Sequence, residues 1–354
     1  MRAIRHWLMG RILVPVSAGL LIGVGVQAAT APPMPAQRMM DALANANAAV
    51  VGIRVTATED ARSAETLGQR RRGSGVLIGK DGLVLTIGYL MLEAEQIEIV
   101  TQDNKTLPAR AVAYDLATGF GLLRPLLPLP AAVAQHTVKL ASTQALQPGE
   151  PLMAVTGPQP NDDGDIVMTR LVSKRAFSGT WEYHIDTALF TSPPITAPGG
   201  HSGAPLFNQQ GELIGIGSLF VSDATGESPR TPGNMFVPVD LLRPILGELQ
   251  QSGMSHLSRR PWLGLTSSDQ GGRIQVMRVS KDSPADLAGL SSGDVVMAVD
   301  GAPVDTLEAF YKKIWDHSTP DAEITLTVRQ GEDVKSIVLK AEDRMLTLKK
   351  PSSI

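Results

Sequence analysis

The run Gly199-Gly200-His201-Ser202-Gly203-Ala204-Pro205-Leu206-Phe207 has the residue types a serine nucleophile needs. Such a serine sits on a tight loop that exposes its hydroxyl and aims backbone N–H groups at a developing oxyanion, and glycines beside it permit the backbone conformation. In this spacing Gly200 and Ser202 would supply the two oxyanion N–H groups, and Gly203 to Pro205 would turn the chain into a strand carrying Leu206 and Phe207. Gly-Xaa-Ser-Gly also arises by chance in loops. The continuation Asn208 to Gly211, followed by GELIGIGSLF, favours the nucleophile.

The elements that must position this loop are short strands. From Ala49 to about Pro238, apolar runs such as Val50–Val55, Gly75–Ile78, Leu83–Thr86, Ile97–Val100, Leu152–Val155, Ile166–Val172 and Leu213–Phe220 alternate with turn signals. Lys80-Asp81-Gly82 and Asp103-Asn104-Lys105 read as hairpin turns. Many short strands at close spacing predict a sandwich or barrel over residues 49–253. Leucines and isoleucine at helical spacing predict a closing helix over Asp240–Gln251, stopped by Gly253. After a polar linker (254–260) a smaller α+β domain spans 261–345, followed by a tail, 346–354. In it Ser283 is an N-cap with Pro284 at the first helical position, Val295–Val299 a buried strand turned by Asp300-Gly301, and Asp305–Trp315 a second helix.

The whole-chain properties set limits. A net charge of -3 argues against nucleic acid as the main partner. Aromatic content of 4% argues against base-stacking platforms. With no cysteine there is neither a disulfide nor a thiolate metal site, and nothing in the sequence suggests a metal or organic cofactor. Arg2, Arg5 and Arg11 precede the apolar stretch Ile12–Val26, and Val26-Gln27-Ala28 fits a signal-peptidase site after Ala28. Residues 1–28 therefore read as a signal peptide, with an uncleaved membrane anchor as the alternative, and residues 29–48 as a linker and N-terminal segment, extended over Thr30–Gln37. Either reading exports the rest of the chain, which makes the expected location periplasmic.

Taken together, GSGVLI (Gly73–Ile78), GGHSGAPL, GELIGIGS, NMFVPVDLL (Asn234–Leu242) and the C-terminal domain resemble the HtrA/Deg family of periplasmic trypsin-like proteases, in matching order. The resemblance implies a mainly β fold: a trypsin-like double β-barrel with the active site between barrels, then a PDZ-like domain that binds peptide C-termini. It also implies polypeptide partners and a homotrimer.

The resemblance carries over only part of the catalytic set. The family's histidine follows a threonine after GSG; here Thr86-Ile87-Gly88-Tyr89 puts Tyr89 at that position. The family's aspartate position falls on Gly119, although Asp115 at the start of that segment is kept. Of the six histidines, none lies between GSG and Asp115. Without a base the Ser202 hydroxyl stays protonated and a poor nucleophile, and loss of a triad member removes several powers of ten in rate. The expectation is a pseudoprotease that binds unfolded or C-terminal peptides through the PDZ-like groove and acts as a regulator, adaptor or scaffold, alone or with an active relative or an envelope complex. The alternatives are an endopeptidase with an unconventional base, His201, His184 or a group from a partner, and a purely structural subunit of an envelope complex.

Of the remaining candidates, His201 reads as a solvent-facing loop residue and His184 as a surface side chain. Tyr89 fills the space of an imidazole, Asp115 caps a turn or meets a cation, and Arg70–Arg72 form a solvated loop. The Pro-rich loop Thr191–Gly199 looks longer than its family equivalent. Trp262-Leu263-Gly264-Leu265 resembles the family's carboxylate-binding loop, in which backbone N–H groups hold a peptide terminus. Leu307, Phe310 and Ile314 line a groove or fill the core.

Overall fold

The computed structural model describes residues 36–197 and 200–348. The proposed leader, residues 29–35, Pro198, Gly199 and the end of the tail lie outside the described residues.

The first barrel is built from β1 (Val50–Ala57), β2 (Arg70–Leu77), β3 (Val84–Ile87), β4 (Ala94–Val100), β5 (Thr106–Tyr114) and β6 (Phe120–Pro125). It closes in the order β1-β2-β3-β6-β5-β4. The second uses β7 (Pro151–Val155), β8 (Ile166–Gly179), β9 (Tyr183–Ser192), β10 (Pro205–Phe207), β11 (Leu213–Val221) and β12 (Gly233–Pro238), closed by pairing of β10 with β7. Closure removes free strand edges. Apolar side chains of both barrels, among them Val76, Leu85, Phe120, Ile185 and Phe190, form one continuous core.

Two sequence motifs meet where the barrels face each other. The Ser74 N–H donates to the Ser202 carbonyl at 2.9 Å. A Cβ on Gly203 would lie 2.0 Å from the Ser74 carbonyl oxygen, and Gly203 has φ +75°. Both the approach and the left-handed conformation demand glycine. The GSG strand thus braces the serine loop directly.

The smaller domain contains the sheet strands Leu265–Ser268, Ile274–Val279, Val295–Val299, Glu323–Gln330 and Asp333–Lys340, with Leu265–Ser268 at one edge. Ser283 caps its helix through a bond from the Asp286 N–H, and Asp300 and Gly301 take positive φ in the turn. The second helix begins at Leu307, capped by Thr306, and Leu307, Phe310 and Ile314 are buried core residues.

Three expectations need correction. The 29–48 linker contains a helix, Ala36–Ala48, because its Ala-rich sequence favours one. The helix expected over Asp240–Gln251 is split into a 3₁₀ turn, Val239–Leu241, and a helix, Leu246–Ser252, because Pro244 interrupts the backbone bonding. Arg70–Arg72 is not a loop but the start of β2. Its alternation turns Arg71 inward, where it is 5% exposed.

Candidate active site and carboxylate loop

Ser202 lies on the loop entering β10, and Tyr89 lies on the 3₁₀ turn Gly88–Met91 that follows β3. The Tyr89 hydroxyl is 2.6 Å from Ser202 Oγ and 2.7 Å from the Ser218 carbonyl oxygen. That carbonyl is released from the β11–β12 ladder by a bulge between Gly217 and Leu219. A phenol has one proton and a carbonyl only accepts. Both contacts are satisfied when Tyr89 donates to Ser218 and the Ser202 hydroxyl donates to Tyr89. The serine proton then points at a neutral phenol whose pKa burial pushes up to about 12. This is a poor acceptor for a proton at neutral pH.

Of the two expected oxyanion donors, the Gly200 N–H donates to the Ala197 carbonyl at 2.9 Å. Gly119, at the aspartate position, has φ +85°, with its N–H on the Asp115 carbonyl and its own carbonyl taking the Gly88 N–H. Beside it the Tyr183 hydroxyl donates to the Thr118 carbonyl at 2.7 Å. Tyr89, Gly119, Tyr183 and Ser218 surround a residual cavity of about 40 Å³.

The turn that carries Tyr89 is held by a residue sequence reasoning missed. The Arg71 guanidinium donates to the carbonyls of Tyr89, Leu90 and Leu92, to that of Gly68, and to Ser63 Oγ. Burial pulls its pKa down, and the Glu93 carboxylate opposes this. The alternating pattern of β2 is the signal that would have placed it inside.

Leu263, Gly264 and Leu265 present three successive backbone N–H groups close together. They already hold a carboxylate. Glu182 Oε2 accepts from Leu263 at 3.0 Å, and Oε1 accepts from Gly264 and Leu265 at 2.8 Å each. Glu182 is buried, and burial pushes its pKa up although the three donors pull it down. Trp262 packs outside this loop, near the Arg344 guanidinium.

A trypsin-like peptidase domain model matches residues 73–216 and a PDZ domain model matches residues 261–341. Probable periplasmic DegP-like serine endoproteases are similar. One from Pseudomonas fulva is 29% identical over 245 residues, 66% of this chain and 48% of the relative. One from Pseudomonas putida W619 is 30% identical over 251 residues, with the same coverage. The chain belongs to the HtrA family and carries one PDZ domain. It spans about half the length of these curated relatives. The fold also resembles the HtrA-type protease AlgW with a tripeptide (TM-score 0.52, 19% identity, 89% of this chain and 98% of that one). A serine endoprotease from Yersinia pestis is similar too (TM-score 0.51, 22% identity, 88% and 99%).

In this HtrA-family chain no described imidazole is hydrogen-bonded to Ser202. His201 is half-buried rather than solvent-facing; it bonds the Ser218 backbone, and burial lowers its pKa. His184 is not a surface side chain: it is 7% exposed, with Ser178 Oγ at 2.9 Å and Asp186 at 3.2 Å. His184, Asp186 and the PDZ residue Glu308 bring ligand-type atoms within 4.8 Å of one another. Lys312 Nζ already bonds both carboxylates, at 2.8 Å each, so this trio serves as an ion-pair contact between barrel and PDZ domain. Asp115 does cap its turn, accepting from the Thr118 N–H and Oγ1. It also holds the linker through Ser255 and Ser258.

Burial gives Tyr89 a pH signature. A phenol whose pKa is raised on folding contributes stability that is full below about pH 10 and is lost as pH rises through about 12. Ultraviolet difference titration of the wild type against Tyr89→Phe should show the missing phenolate appearing near pH 12. Ionisation near pH 10 would refute the enclosure.

Proposed function

We propose that this chain is a periplasmic HtrA-family pseudoprotease that binds polypeptide C-termini through its PDZ domain and acts as a regulator, adaptor or scaffold. The observation that carries the reading is the Tyr89 hydroxyl bonded to Ser202 Oγ, where a nucleophile's base would stand. Gly119 supplies no orienting carboxylate, and the Gly200 N–H is engaged by the Ala197 carbonyl. The PDZ loop retains three convergent N–H donors, the chemistry that captures a terminal carboxylate. The export expected from residues 1–28 and the printed names of the relatives support a periplasmic site.

The purified chain is to be offered casein and a fluorophosphonate probe. The expected result is no labelling of Ser202 and casein turnover indistinguishable from Ser202→Ala, several powers of ten below a competent triad. Cleavage abolished by Ser202→Ala would establish an endopeptidase with another base.

A further inference from the structure

The PDZ loop is already filled, and by the protein itself. Glu182 is the last residue of the three-residue loop joining β8 to β9, and it takes φ +59°, a conformation that usually selects glycine in such hairpins. From there its carboxylate reaches all three N–H groups of the loop, as the terminus of a bound peptide would. The resemblance to a ligand extends along the backbone. The Ser267 N–H, on the edge strand, donates to the Thr180 carbonyl at 2.8 Å. The Tyr311 hydroxyl, on the facing helix, donates to the Gly179 carbonyl at 2.8 Å. The edge strand and helix of the PDZ groove thus both hold backbone of the barrel's hairpin. The Lys312–Asp186 pair pins it from the side.

Resting on the reading of this PDZ domain as a binder of C-termini, we propose that the β8–β9 hairpin is an internal ligand and Glu182 a stand-in for a terminal carboxylate. An external partner must then carry a free C-terminal carboxylate and displace Glu182 to bind. A C-terminal amide lacks the charge that the three donors hold and cannot make the exchange. The groove is therefore self-closed, and its apparent affinity for any terminus is reduced by the fraction of molecules with the hairpin withdrawn.

The test uses the full chain as wild type, Glu182→Ala and Glu182→Gln. An arrayed pool of decapeptides with free carboxyl ends is screened on Glu182→Ala. The tightest binder and its C-terminal amide are then titrated against all three proteins by fluorescence polarisation. Amide hydrogen exchange at residues 263–265 is followed in parallel. The expected result is binding about tenfold or more tighter to Glu182→Ala than to wild type, Glu182→Gln between them, and no binding of the amide. Exchange at the three loop amides should accelerate about tenfold or more in Glu182→Ala. Equal affinity for wild type and Glu182→Ala overturns the internal ligand while leaving the binding reading intact. If no peptide binds any variant, the binding reading fails. Exchange then decides the closure alone: acceleration in Glu182→Ala upholds it, and unchanged exchange overturns it.

Discussion

Replacing Asp115 by alanine should destabilise the chain by about 3 kcal/mol, because the buried carboxylate accepts hydrogen bonds from both sides of a domain junction. On the barrel side it ties the Thr118 N–H and hydroxyl. On the linker side it ties the Ser255 N–H and hydroxyl and the Ser258 hydroxyl at 2.6 Å. All these groups are buried, and alanine leaves each donor without its acceptor. Calorimetry should show the melting temperature falling by roughly 6–12 °C. A melting temperature within a degree of wild type would show that the cluster is relieved by solvent. Asp115→Asn, which preserves size and one acceptor oxygen, should recover part of the loss.

Arg71→Met should cost about 3–5 kcal/mol, the range for removing one partner from a buried charged network. Methionine keeps apolar bulk in place of the stem but leaves the carbonyls of Gly68, Tyr89, Leu90 and Leu92 without this donor and Glu93 without the nearby cation. The effect should also reach the serine site, since three of those carbonyls belong to the segment that fixes Tyr89. Two readouts check this: the urea midpoint should fall, and the Tyr89 phenol should titrate below about 12 as its enclosure loosens. A variant with a normal midpoint and an unmoved phenol would show that the turn holds itself.

Much of the architecture was legible because it rests on local chemistry. The strand runs, the Ser283 cap and the Asp300-Gly301 turn are each decided by residues within a few positions of one another. The serine loop and GSG strand were legible as motifs, though not their mutual contact, which joins residues more than a hundred positions apart. Arg71 was misread because three consecutive arginines suggest solvent, while the strand period sends the middle one inward. His184 was misread as a surface side chain because its partners are not all local: besides Ser178 and Asp186, the Glu308 carboxylate of the second domain comes within 3.8 Å of its Nε2. Glu182 had no local signal. Thr180-Trp181-Glu182 is an unremarkable hairpin loop until Leu263–Leu265 arrives from the next domain.

Gly119 and its surroundings limit what a single substitution could restore at this site. The space around the aspartate position is not simply vacated: Tyr183 reaches the adjoining Thr118 carbonyl, and a Cβ on Gly119 would stand 3.5 Å from the Tyr183 hydroxyl. An aspartate there would also have to adopt φ +85°, at a cost of about 1–3 kcal/mol. A histidine in place of Tyr89 would gain no orienting carboxylate, and a carboxylate at position 119 would find no imidazole. Each change is unrewarded without the other, and at position 119 the obstacle is the left-handed backbone rather than space, since a Cβ there would meet Ile87 and Tyr183 only at van der Waals contact. Neither single substitution would therefore equip Ser202 with an oriented base, even though the serine is still in place.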